Sequence, residues 1–175
     1  ASPIGDMSVF FLALNSDLVF NMNGIKRKIK LKDFYKGYKQ IDKATDEILE
    51  KIIFTAPQTN NFNFEKVSKR THLDIASVNS ACSLIQTEDG VIQEIHISAG
   101  GVFAFPKYLQ NTSDFLVGKK INAENLKTAV EIMNAEIAPI SDARGTAGYK
   151  RLLLRQLFLA HFIKETGPVK KLIGL

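Results

Sequence analysis

The order of apolar patterns along this 175-residue chain predicts an α+β fold in which antiparallel strands come first and a group of helices follows. Two observations carry that expectation. Asn23-Gly24 and Asp89-Gly90 each separate a pair of strand-like runs, the signal of a tight hairpin. After Pro106 the apolar residues recur at helical spacing instead. Strands and helices are thus segregated rather than alternating, which argues against a doubly wound parallel sheet.

Taken in order, Ser2-Pro3 has the form of an N-cap followed by proline in the first helical turn, with Asp6 near the positive helix end. Val9, Phe10, Phe11, Leu12 and Leu14 make this helix apolar nearly all round, so it should be buried; Asn15-Ser16 ends it. Residues 18–22 and 25–31 read as strands about the Asn-Gly turn. In the second, Ile25, Ile29 and Leu31 alternate with Lys26, Lys28 and Lys30, giving one dry face and one lysine face that blunts a sheet edge. Residues 33–39 form an aromatic-rich loop, and residues 47–54 a further strand. Pro57 and the polar run 58–63 mark an internal boundary.

Residues 64–81 are the stretch around which the rest is organised. Lys66, Lys69 and Arg70 make a basic loop that turns through Thr71-His72 into small residues from Asp74 onward. Lys and Arg donate to phosphate or carbonyl oxygens, and small residues admit a flat body to the backbone. A polar, anionic or planar ligand would suit this stretch; a solvated turn before an ordinary core strand has the same composition. Residues 75–86 and 91–98 read as strands, and Gly100-Gly101 as a tight bend with no phosphate-loop helix behind it. Short helical pieces are expected at 107–110 and 113–117. Asn122 caps a helix over 123–137, with Leu126, Val130 and Met133 on one face, and Pro139 breaks it. A last helix over 146–164 carries Leu152, Leu153, Leu157, Leu159 and Phe162, with Gly167-Pro168 as its stop and His161 a packed or surface residue.

Composition narrows the function classes. Hydrophobic content of 45% and charged content of 23% are those of an ordinary soluble globular protein. The net charge of +5 is spread along the chain, so a nucleic-acid or membrane surface is permitted but not indicated. A nucleic-acid module built on residues 26–32 with Phe34, Tyr35 and Tyr38 would lack a recognised stacking signature. The single Cys82 excludes an internal disulfide and fits a reducing, cytoplasmic setting. No Cys/His cluster has metal-ligand spacing, and no apolar run approaches the roughly 20 residues of a membrane span. The opening Ala-Ser-Pro, with no start methionine, reads as the continuation of a longer chain.

Several separated segments together resemble one family. Ser2-Pro3-Ile4-Gly5-Asp6 resembles the Ser-Pro-x-x-Asp motif of the flavin domain in xanthine dehydrogenases and other molybdenum hydroxylases. Lys66-Val67-Ser68-Lys69-Arg70 followed by Asp74-Ile75-Ala76 resembles that family's Lys-x-x-x-Arg…Asp-Ile-Ala segment. Ser141-Asp142-Ala143-Arg144-Gly145-Thr146-Ala147-Gly148-Tyr149-Lys150 is similar to its Ser-Asp-x-Arg-x-x-x-x-Tyr-Arg signature, with Lys150 in place of the usual Arg. Gly100-Gly101-Val102 and the aromatic loop fit in order and spacing, so the resemblance covers essentially the whole chain. It is nearest to the small subunit of bacterial xanthine dehydrogenase.

The resemblance implies that 1–61 is the end of an antiparallel FAD-binding subdomain. Residues 62–175 would then be the flavoprotein C-terminal subdomain, a three-stranded antiparallel sheet against a helical bundle. It also implies site residues. Asp6 would accept hydrogen bonds from the sugar-alcohol chain of FAD, Leu49 would pack beside the ring, and Lys66 would donate to the ring's polar edge. The loop from Arg70 to Asp74 would lie beside the ring and tune access of NAD, with Thr71-His72-Leu73 less acidic than in some members. The implied role is electron transfer from 2Fe-2S clusters through FAD to NAD, with the molybdenum cofactor and the clusters on upstream segments or partner chains. A non-catalytic docking module of the same complex is the alternative. The family's glycine-rich diphosphate loops precede Ser-Pro-x-x-Asp and are absent from this sequence, so weak FAD binding by this chain alone is expected.

Overall fold

A computed structural model describes residues 2–57 and 62–163. The chain opens with α1 (Asp6–Ala13) and continues into β1 (Asp17–Met22), β2 (Ile25–Lys30), β3 (Tyr35–Gly37), β4 (Gln40–Ile41) and β5 (Ile48–Ile53). Next come β6 (Phe62–Val67), β7 (Val78–Gln86), β8 (Ile92–Gly100) and β9 (Lys107–Tyr108). Three helices finish it: α2 (Gln110–Leu116), α3 (Ala123–Glu136) and α4 (Ala147–Ala160). One antiparallel sheet has the order β2-β1-β5, and a second has β6-β7-β8-β9; β3 and β4 form a small hairpin. The α+β class holds, with three main strands in the second sheet and a two-residue β9 at its edge. Among the described residues, no helix is long and apolar enough to cross a membrane.

Asn23 and Gly24 both adopt positive φ, which matches a turn of the type Asn-Gly favours. β2 lies at the edge of its sheet, where lysines discourage further pairing. Its cations are also neutralised: Lys26 pairs with Glu50, Lys28 and Lys30 with Asp17, and Arg27 with Glu47 and Asp42. That arrangement leaves little free charge for a nucleic-acid backbone.

The second sheet is the middle of three layers, and alternation along its strands explains why. Ile95, Ile97 and Ala99 of β8, with Val78 and Cys82 of β7, face a core built with Leu126 and Met133 of α3, Leu154 and Phe158 of α4, and Phe162 just after α4. The opposite face is covered by α1, whose Val9 and Ala13 pack on Ala81. Ser98 donates to the Val9 carbonyl at 2.7 Å, and the Gly101 N–H to the Pro3 carbonyl at 2.9 Å. Asn79, Ala81, Ser98 and Gly100 alternate onto this face, and only small side chains leave room for a helix there. The small-residue run thus admits α1 on one side and α4 on the other.

Several local readings change. The first helix starts at Asp6 with Gly5 as its N-cap, because Ser2 to Gly5 form a turn held by Gly5 N–H to Ser2 carbonyl at 3.3 Å. The strand expected to start at residue 75 starts at Val78, since Asp74 and Ile75 belong to the preceding loop. Residues 107–108 are a strand paired to Ser98 and Ala99 rather than helix. β6 falls where the sequence suggested a boundary and a basic loop. The helix stop at Gly167-Pro168 and the run 58–61 lie outside the described residues.

Candidate functional site

β6 pairs with β7 so that Lys66 sits opposite Asn79, and β7 pairs with β8 so that Asn79 sits opposite Gly100. These three form one row across the face that α1 covers. The first turn of α1 stands over the row and places Asp6 there. Lys66 Nζ donates to Asp6 Oδ2 at 2.7 Å, and Asn79 Nδ2 to Asp6 Oδ1 at 2.5 Å. The Lys66 and Asp6 side chains are 30% and 42% exposed, so the pair is open to a ligand. As a partly exposed ion pair it adds little stability, about 0.5 kcal/mol, and its placement matters more for recognition than for holding the fold.

Arg70 and Asp74 meet each other rather than Asp6. Asp74 Oδ2 accepts the Arg70 backbone N–H at 3.0 Å, and Oδ1 accepts that of Ile75 at 2.9 Å. The Arg70 guanidinium reaches the Leu73 carbonyl at 3.2 Å. Burial pushes the Asp74 carboxyl up, yet the two backbone N–H groups and the guanidinium together hold it below the usual carboxylate range. This loop carries Leu73, a non-glycine residue at φ 49° and almost fully exposed. It is tied to the turn before α4 by Lys69 Nζ to the Ala143 carbonyl at 2.6 Å and by Arg144 Nη1 to the Ile75 carbonyl at 3.2 Å. The Lys-x-x-x-Arg and Ser-Asp-x-Arg segments are therefore two walls of one structure. Leu49 stands in the other sheet, on β5 opposite Phe20, and is 43% exposed.

Sequence reasoning missed Asn79, which binds Asp6 from beneath. A signal existed: asparagine is a poor strand former, and this one sits within a strand. A cleft of about 610 Å³ lies elsewhere, lined by Asp17, Lys30, Phe54, Ser83 and His96, and includes neither Asp6 nor Lys66. A smaller one, about 340 Å³ and mostly apolar, opens beside Pro3, Ile4 and Gly101 at the start of α1.

Residues 64–166 match the CO dehydrogenase flavoprotein C-terminal domain, and residues 1–57 match the FAD binding domain in molybdopterin dehydrogenase. The chain belongs to the molybdenum hydroxylase flavoprotein family. Xanthine dehydrogenase 1 of Arabidopsis thaliana is 29% identical over 171 residues, which is 93% of this chain and 12% of that protein. The glyceraldehyde dehydrogenase medium chain of Sulfolobus acidocaldarius is 29% identical over 163 residues, 93% of this chain and 57% of that one. A Cu,Mo-CO dehydrogenase crystal structure superposes with a TM-score of 0.81 at 25% identity, covering 90% of this chain and 55% of that one. This flavoprotein thus spans a little over half of the medium chains and a small part of the plant enzyme.

The family's cofactor is FAD, and the side chains present fit it. Its sugar-alcohol hydroxyls need an acceptor and its ring edge a donor; Asp6 is acceptor-only when ionised and Lys66 donor-only. Both are partly exposed and adjacent, and Leu49 offers exposed apolar surface.

Proposed function

We propose that this flavoprotein segment holds FAD in a xanthine dehydrogenase-like molybdenum hydroxylase of the cytoplasm. One observation carries the reading: Asp6 and Lys66, 60 positions apart, are brought together at a face open to solvent. Asp6 would take hydrogen bonds from the sugar-alcohol chain, and Lys66 would keep a positive charge at the polar edge of the ring. Leu49 would pack beside the ring. Arg70 and Asp74 would fix the loop at its border and so set access for the acceptor. FAD itself supplies one-electron exchange with 2Fe-2S clusters and hydride exchange with NAD. The clusters and the molybdenum cofactor would be carried by an iron-sulfur domain and a molybdenum-cofactor subunit. Residues 1–61 and 62–175 would serve as the two parts of the cradle.

The test is made in the full-length assembly. Asp6→Ala and Lys66→Met are expected to lower bound flavin while the subunits still elute together. Unchanged flavin with lost assembly would overturn the reading in favour of a docking module.

A further inference from the structure

Asn79 is fully buried, yet its Oδ1 has no hydrogen-bond partner. Its Nδ2 is used twice, on Asp6 Oδ1 at 2.5 Å and on the Ile4 carbonyl at 3.4 Å. Turning the amide over would set Oδ1 against a carboxylate and a carbonyl, three acceptors face to face, so its orientation is fixed by chemistry. The orphan Oδ1 lies against Gly100, where a Cβ would collide with it. Buried polar atoms without partners are exceptional in folded proteins, and this one persists because the other end of the amide is committed to Asp6.

We propose that Asn79, seated on Gly100, is a positioning residue for Asp6, aiming the carboxylate's open acceptor sites at the hydroxyls of the flavin's sugar-alcohol chain. The inference rests on the flavin reading of Asp6 given above. Lys66 clamps Oδ2 from β6 and Asn79 clamps Oδ1 from β7, so the carboxylate is gripped from two strands at once. A carboxylate offers about four acceptor sites, and this grip leaves sites on both oxygens for a ligand. Lys66 holds its end from a flexible four-carbon stem, whereas Asn79 is enclosed; the direction of the carboxylate therefore follows Asn79. Asp6 and Lys66 are the titratable groups facing it, and among the described residues no other charged side chain pairs with either.

The test uses the full-length holo-flavoprotein. Asn79→Asp keeps the shape but swaps the donor for a carboxyl, and two carboxyls at this distance share one proton. Its FAD affinity should be about tenfold weaker than that of wild type at about pH 8 and move back toward the wild-type value as pH is lowered to about 5. Asn79→Leu, with no donor, should bind FAD about tenfold more weakly at every pH. The visible circular dichroism of the bound flavin should change in both. Wild-type affinity in Asn79→Leu, or a melting point that falls while FAD affinity stays unchanged, overturns the inference. Asp6→Ala separates the two readings. If Asp6→Ala keeps FAD, the flavin role of Asp6 fails; if it loses FAD while both Asn79 variants behave as wild type, the positioning role alone fails.

Discussion

His161, at the C-terminal end of α4, is packed on the bundle side of the central sheet. Its Nε2 lies 2.9 Å from Ser80 Oγ and its Nδ1 3.0 Å from Asn63 Nδ2. Ser80 already donates to the Ser98 carbonyl at 2.9 Å, so Nε2 carries the ring proton and Nδ1 accepts from Asn63. Burial pushes its pKa down to about 3. The unfolded chain takes up this proton near pH 6.5 while the folded one stays neutral, so stability falls as pH drops from about 6.5 towards 3. The slope is at most about 1.4 kcal/mol per pH unit, and nothing is lost above 6.5. His161→Gln should flatten this acid limb in urea melts recorded between those limits. Cys82 belongs to the same interior: it is a buried core residue, and that burial pushes its thiol up to about 12, so little of it is thiolate at neutral pH.

At the scale of elements, the turn before α4 depends on the residue that departs from the family pattern. Lys150 is 2% exposed, and its Nζ donates to the Ile140 carbonyl at 3.0 Å and to Asp142 Oδ2 at 2.6 Å. The Lys150 hydrogen bond holds the Asp142 carboxyl below its usual range. Lys150→Met should cost about 2 kcal/mol, because the buried ammonium's two hydrogen bonds are lost, leaving the Ile140 carbonyl without this donor and Asp142 without its counter-charge. Hydrogen exchange should quicken first over residues 141–146. α3 and α4 were legible because helical periodicity coincides with caps: Asn122 accepts the Asn125 N–H and Thr146 that of Tyr149. β6 was not, although Phe62 and Phe64 alternate with Asn63 and Glu65, because polar residues precede it and cations follow. β9 has only two residues, so its partner β8 defines it, not its own pattern. Asp6 and Lys66 stood out through motif order, and the fold brings them together, whereas Asn79 looked like one more member of a run of small residues. Its residue type, a poor strand former inside a strand, was the one local trace; its burial under α1 is a property of tertiary packing.

At the scale of the whole molecule, the two sheets are joined through α1, which packs on β7 and β8 and then runs into β1. Asp6, Lys66 and Leu49 offer an acceptor, a donor and exposed apolar surface, the features on which the proposed flavin site rests, but the sequence has no glycine-rich run of backbone N–H groups for a diphosphate. A fluorescence titration of this chain with FAD should therefore give a Kd weaker than about 1 μM. Submicromolar binding would show that tight FAD recognition does not require such a run.

The Asp6–Lys66 pair joins the first turn of the first helix to a strand that is made 60 residues later. A nascent chain on the ribosome consequently displays neither half of it in working order until β6 has been synthesised and docked. Formation of the pair is thereby timed to follow synthesis of the strand, and a polypeptide whose second sheet has failed to close cannot make it.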